Sequence, residues 1–332
     1  MKLLQSLLLV VCSILIAAPA FAKSKNYADQ PKVQEFINMM VKKHGFNKAE
    51  LTKTMNQVKI RPQVMKRIKT PLEKKPWSFY QKLFITESHI KNGAKFWNAN
   101  KKVLTQAQKK YGVPADIIVA TIGIESKYGK HTGDYRVIDA LANIGFSDNR
   151  RSKFFKYELE QFLLLVKEQK LDPLTVMGSY AGAIGQPQFM PSSYRRYAVS
   201  YNGKKSIDLS HNTNDIIFSI ANYYKKKGWE TSQPVATPAS MVNINYAIYP
   251  SKHKKPKIVK KRTLTAYGNI NKKKIKQPYK VIELKNRRGK EYWYTFENFR
   301  VIKRYNPSDL YAMAVFQLST LLTDYQGKTK NA

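Results

Sequence analysis

From Ile117 the chain runs Ile117-Ile118-Val119-Ala120-Thr121-Ile122-Gly123-Ile124 and then presents one carboxylate, Glu125. A segment apolar on every side marks a buried helix, and a buried carboxyl must be hydrogen-bonded or held protonated. A carboxyl kept protonated in that way is what a general acid needs near neutral pH. The same pattern also suits a Glu paired with a buried Arg or capping a turn. A second stretch, Gly178-Ser179-Tyr180-Ala181-Gly182-Ala183-Ile184-Gly185-Gln186-Pro187-Gln188-Phe189, concentrates small residues that let backbone approach backbone or ligand. Its Gln188 offers a neutral donor and acceptor suited to sugar hydroxyls and acetamido groups. As a bare string it also fits helix packing; its order after the Glu125 helix links the two.

The elements that must carry these residues are mainly helical. From Asp29 to about Tyr111 the pattern is amphipathic, with Val33, Phe36, Ile37, Met40 and Val41 at helical spacing and one long helix expected over Glu87–Lys110. Pro114 opens a helix reaching Gly129. Further helices are expected over 137–145, 150–169, 188–199, 214–227 and 308–324. Over 230–304 the texture changes to Pro and Lys clusters with β-rich runs at Val281–Leu284 and Tyr292–Phe296, joined by a turn over Asn286–Lys290. The fold class expected is therefore α+β, a helical body with a small antiparallel insert. Residues 23–229 form the helical domain, 230–304 the basic insert, and 305–332 a C-terminal helix packing back on the body.

Lys2 precedes an apolar run from Leu3 to Ala18, and Ala18-Pro19-Ala20-Phe21-Ala22 supplies small residues where a signal peptidase cuts. Residues 1–22 are thus expected to be a cleaved signal peptide, since the run falls short of the roughly 20 residues a membrane span needs. The one cysteine, Cys12, lies in this leader, and Val11 before it and the apolar residues beyond argue against a lipoprotein. The net charge of +37 raises nucleic acid as a partner, but export excludes it and points to envelope polyanions. Residues 251–304 hold nineteen Lys or Arg against three acids. They read as a docking face for anionic envelope surfaces or as a merely solvated one.

Glu125-Ser126-Lys127-Tyr128-Gly129, Asp139-Ala140-Leu141-Ala142, Arg150-Arg151 and the glycine-rich string, in this order and spacing, resemble the lytic murein transglycosylase B family, lysozyme-like enzymes of peptidoglycan turnover. The resemblance spans Trp77 to Leu318 and is weak over 230–290. It implies that Glu125 is the catalytic acid and base and that Ser179 orients it. It implies that Gln188 and Tyr223 line the saccharide groove, that Tyr305, Asn306 and Tyr311 form its far wall beside the cleaved bond, that Arg150 and Arg151 face acidic peptide or lactyl groups, and that Tyr80 is a groove tyrosine. The chemistry agrees, because tyrosines pair a stacking face with a hydroxyl and adjacent guanidiniums suit carboxylates. Gln186-Pro187 departs from the family's usual aromatic and glycine. Some members carry a calcium loop after the glycine-rich string; here Ser200–Ser206 has Lys204 and Lys205 where such a loop needs an acidic or amide ligand and a glycine, so no metal or other cofactor is expected.

The reaction implied is non-hydrolytic cleavage of the MurNAc–GlcNAc bond in the periplasm by a monomer, with peptidoglycan strands as partner. One carboxylate suffices because the attacking C6 hydroxyl is tethered to the sugar. A hydrolytic muramidase would need one of Asp134, Asp139, Asp148, Glu158 or Glu160 at the site. A non-catalytic basic wall-binding scaffold is the rival of another class.

Overall fold

The computed structural model describes residues 26–69, 75–239, 244–248, 257–261, 280–286 and 289–330. The leader and half of the lysines of the basic stretch lie outside these residues. The chain divides between Gln57 and Val58 into two compact units. In the first, a 3-10 turn at Tyr27–Asp29 precedes α1 (Pro31–His44) and α2 (Lys48–Asn56). Val33, Phe36, Ile37 and Met40 recur every three to four residues and are buried.

The second unit opens with α3 (Pro62–Ile68), α4 (Trp77–Phe84), α5 (Glu87–Ala99) and α6 (Lys101–Tyr111). The single helix expected over 87–110 is therefore two. Asn100 leaves helical geometry (φ −119°, ψ 20°), and its side-chain amide donates to the Phe96 carbonyl at 2.8 Å, which ends the first helix. The next helix, α7 (Ala115–Ser126), starts one residue later than expected, with Pro114 as its extended N-cap. It stops short of Gly129 because Lys127, Tyr128 and Gly129 all adopt positive φ. Every residue of α7 except Glu125 is buried.

The chain continues through β1 (Tyr135–Arg136), α8 (Val137–Gly145), α9 (Ser152–Gln169), β2 (Met177–Gly178), α10 (Pro191–Tyr197) and α11 (Thr213–Lys226), the last of which packs on α7. The helix expected from 188 begins only at Pro191, because Phe189 is bridged to Ile184 and Gln188 has φ +49°. Then β3 (Ala236–Pro238), β6 (Lys280–Asn286) and β7 (Gly289–Thr295) form an antiparallel sheet in the order β3-β7-β6, and β4 (Ile244–Ile248) pairs with β5 (Lys257–Lys261). The expected hairpin forms, but Asn286, Gly289 and Lys290, expected in its turn, belong to the strands, with Asn286 opposite Gly289. The end of the 230–304 segment is not strand: α12 (Glu297–Lys303) buries Phe299, Val301 and Ile302. The last helix, α13 (Asp309–Lys330), packs along α7, α5 and α4. The architecture is α+β, mainly helical with small antiparallel sheets. Among the described residues, no helix is long and apolar enough to cross a membrane.

Candidate active site

Glu125 emerges at the end of α7, where the chain turns sharply through Lys127 (φ 51°), Tyr128 (φ 61°) and Gly129 (φ 84°). Two consecutive non-glycine residues in the left-handed region cost about 1–3 kcal/mol each and persist only where surroundings hold them. Here Ser126 Oγ accepts from the Gly129 amide at 3.0 Å, and the Tyr128 hydroxyl donates to the His89 carbonyl at 2.9 Å. Gly123 is what admits that phenol: a Cβ there would meet Tyr128 Oη at 2.5 Å.

Four tyrosines surround the carboxyl. Tyr311, on the first turn of α13, donates to Glu125 Oε1 at 2.5 Å. Tyr305 stacks on Tyr311 with centroids 6.3 Å apart and planes at 17°. Tyr223 and Tyr224, on α11, lie 4.7 and 5.6 Å from the Tyr305 ring. All four phenols are held above their ordinary pKa, burial being the largest cause, with the Glu125 charge contributing to each. Desolvation raises the Glu125 pKa to about 8, against the opposing Tyr311 hydrogen bond. Glu125 itself keeps a partial opening to solvent, as a residue that must meet a substrate requires.

The glycine-rich string is a supporting loop for this cluster. Phe189 lies 5.5 Å from Tyr223 and 5.6 Å from Tyr305, and the Tyr305 hydroxyl donates to the Pro187 carbonyl at 2.5 Å. Gln186, part of the departure from the usual pattern, binds Leu209 O through its backbone N–H and Ser210 O through its side chain. Gly185 (φ +70°) admits no Cβ because the Leu209 carbonyl stands in its place.

The residues named from the sequence fall into three groups. Tyr223, Tyr305 and Tyr311 come together at Glu125. Ser179 and Gln188 belong to the loop, but their described bonds are to backbone. Ser179 Oγ accepts from the amides of Ala181 (3.2 Å) and Ala183 (3.0 Å), and the bond to Glu125 comes from Tyr311 instead. The Gln188 side-chain amide donates to Thr132 O and Gly185 O at 2.9 and 2.8 Å, leaving its carbonyl oxygen as acceptor. Asn306 Oδ1 accepts from the Ser308 amide at 3.3 Å. The remaining three are Tyr80, Arg150 and Arg151. Tyr80 is buried on α4, 5.3 Å from Phe84. Arg150 and Arg151 are exposed, the Arg151 guanidinium covering Phe154 and Phe155 at 5.2 and 5.0 Å.

Two partners escaped the sequence reading. Thr121, one helical turn before Glu125, donates to Ile117 O and sits 2.8 Å from Tyr224 Oη. With its own proton committed, Thr121 must accept from the phenol. The i, i+4 spacing of Thr121 and Glu125 was the available signal. Among the rival carboxylates, Asp139 is held by Arg61 (3.2 Å) and Arg136 (2.7 Å). Glu158 accepts from Ser192 N–H and Oγ at 2.9 and 2.7 Å. Asp134 and Asp148 are exposed.

A desolvated carboxyl at the end of a buried helix, framed by phenols, is the kind of site that can supply a general acid to a bond with a poor leaving group. The Transglycosylase SLT domain model matches residues 28–320. The chain is 39% identical over 305 residues, 88% of its length and 83% of the relative's, to membrane-bound lytic murein transglycosylase B of Escherichia coli K12. It superposes at a TM-score of 0.75 on soluble lytic transglycosylase SltB1 of Pseudomonas aeruginosa, with 37% identity over 90% of this chain and all of that one. The same score relates it to the E. coli lytic transglycosylase Slt35 in complex with calcium, at 36% identity over 90% of this chain and 94% of that one. This chain belongs to the lytic murein transglycosylase B family.

The Ser200–Ser206 loop does not fit a calcium ion. Asp215, buried beneath it, accepts from the amides of Tyr201 (2.7 Å) and Asp208 (3.2 Å). Asp208 binds the amides of Ser210 (2.8 Å) and His211 (3.0 Å). Lys204 and Lys205 are exposed on the loop itself, where a cation would need hard oxygen ligands.

Proposed function

We propose that this lytic transglycosylase cleaves the MurNAc–GlcNAc bond of peptidoglycan with Glu125 as its only acid and base, leaving 1,6-anhydro-MurNAc ends. The observation that carries the reading is the Glu125 carboxyl: desolvated, with its pKa raised to about 8, and bonded by a phenol. Such a group is protonated at neutral pH and donates to the departing glycosidic oxygen. The resulting carboxylate is stabilised by the Tyr311 hydroxyl and takes the proton from the C6 hydroxyl of the same sugar as that oxygen closes on C1. No water enters. The tethered hydroxyl has an effective concentration that water cannot match, while Asp139 and Glu158, which could have activated water, are committed elsewhere. Gln188 Oε1 and Asn306 are the polar groups proposed to hold the sugar, with Ser179 fixing the loop and Arg150 and Arg151 meeting stem-peptide carboxylates farther along the strand.

Residues 1–22 are proposed to export the chain as a monomer to the periplasm, where the wall lies. Mass spectrometry of sacculus digests tests the reaction. Muropeptides one water lighter than reducing-end products are expected. Reducing ends labelled from heavy-oxygen water would establish a muramidase, and no released product from folded protein would establish a scaffold.

A further inference from the structure

The β3-β7-β6 sheet has two unlike faces. Its inner face carries Ile282, Leu284 and Trp293, all buried, with Trp293 set edge-on to Phe316 of α13 at 6.1 Å. The outer face, which alternation along each strand turns away from α13, leaves Val281 53%, Tyr292 49% and Tyr294 38% exposed. These form one surface, since Val281 pairs with Tyr294 and Glu283 with Tyr292 across the two strands. The Tyr292 ring is fixed by its hydroxyl, which donates to Glu283 Oε2 at 3.2 Å, the oxygen Lys290 also grips at 3.0 Å. Two pairs farther toward the hairpin end, and so on the same face, Lys285 faces Lys290. The connecting sequence Lys285-Asn286-Arg287-Arg288-Gly289-Lys290 holds four cations and no acid.

We propose that this outer face, with Tyr292 and Tyr294 as stacking platform and the cationic hairpin end beside it, holds a stretch of peptidoglycan strand apart from the one being cleaved. The inference rests on the lytic reading above. Tyrosines two residues apart on one strand stand roughly 7 Å apart on a single face, and each offers an apolar ring with a polar rim, as pyranose stacking requires. The wall's lactyl and stem-peptide carboxylates supply the charge that complements Lys285 and Lys290. A membrane surface suits the face less well, because insertion calls for protruding apolar side chains, whereas this is a flat, paired sheet with Glu283 in its middle. The sheet itself stands between the face and α13, so a strand bound there does not enter the Glu125 cluster. Holding a neighbouring strand would keep the enzyme on an insoluble substrate between cuts.

The test compares wild type, Tyr292→Thr/Tyr294→Thr and Tyr292→Phe/Tyr294→Phe. Threonine keeps strand preference and removes the rings, while phenylalanine keeps them. Affinity for purified sacculi, pelleted on ice, is expected to fall about tenfold in the threonine variant and to be largely retained in the phenylalanine variant, since aromatic anchors are enriched among the few residues that dominate binding. Turnover of a short soluble glycan should be unchanged in all three. Unaltered sacculus binding by the folded threonine variant overturns the proposal, as does an equal loss in the phenylalanine variant. Binding lost on phosphatidylglycerol vesicles but not on sacculi overturns it in favour of a membrane. If wild type binds sacculi through these tyrosines yet leaves the soluble glycan intact, the platform stands and the lytic reading fails.

Discussion

Tyr311→Phe removes one hydroxyl from the Glu125 cluster and leaves the ring, whose stacking on Tyr305 at 6.3 Å needs no oxygen. In the wild type that hydroxyl donates to Glu125 Oε1 at 2.5 Å and so favours the ionised carboxyl. Burial acts in the opposite sense and dominates, which puts the pKa at about 8. The first chemical step needs the acid, so kcat/KM of the wild type should fall as pH rises through about 8. A hydrogen bond to a charged group contributes about 1.5–3 kcal/mol net, and about 1.4 kcal/mol corresponds to one pH unit. Water entering from the open side of Glu125 will replace part of the lost bond, so the lower end applies. The alkaline limb of the variant should therefore move up by about one pH unit. Tyr223, Tyr224 and Tyr305 do not confuse the assignment, because burial keeps their phenols neutral across this range. Below about pH 7 both proteins are protonated at Glu125, and the remaining rate difference there, expected at about ten- to a hundredfold, reports the lost aim of the carboxyl and the unsupported carboxylate of the second step. The assay is kcat/KM on a soluble glycan from pH 5 to 10. A limb that stays in place, or moves down, would refute the role given to the Tyr311 hydroxyl.

Glu125→Gln should lower sacculus clearance at least a hundredfold with the fold retained. The same variant carries a stability signature: because burial raises the folded-state pKa from 4.5 to about 8, the wild type loses stability as pH climbs through that window. The Tm of the variant minus that of the wild type should accordingly grow between those limits and level off above them; a difference independent of pH would contradict the desolvation. Gly123→Ala sets helix propensity, which favours Ala by about 0.5–1 kcal/mol, against overpacking of about 1–3 kcal/mol. With Tyr128 Oη only 2.5 Å from the new Cβ, denaturant unfolding should show net destabilisation and reduced activity, and a more stable variant would remove Tyr128 from the account. Calcium at millimolar concentration should leave the Tm where chelator leaves it, given Lys204 and Lys205 on the loop; a clear calcium-dependent rise would count against that reading.

Local patterns told much of this in advance. A run apolar on all sides, ending in Glu125, can only be a buried helix offering one carboxyl, and every other residue of α7 is indeed buried. The β6-β7 hairpin followed from alternation, because period two leaves one face to be covered. What periodicity cannot tell is which element does the covering. Tyr311 reaches Glu125 from 186 residues away, a contact decided by how α13 lies along α7. Tyr224 reads as another apolar position of α11 until Thr121 is found 2.8 Å from its hydroxyl. The same limit holds for which side chains are buried. Arg151 has an aromatic neighbour three residues on, and tertiary structure left that pair at the surface, whereas Tyr80, on α4, was buried. Side-chain types and spacing determine what a helix must bury and what chemistry it can offer. The partners that tune that chemistry are set by packing between distant segments, where desolvation and a single donated hydrogen bond decide the proton affinity of Glu125.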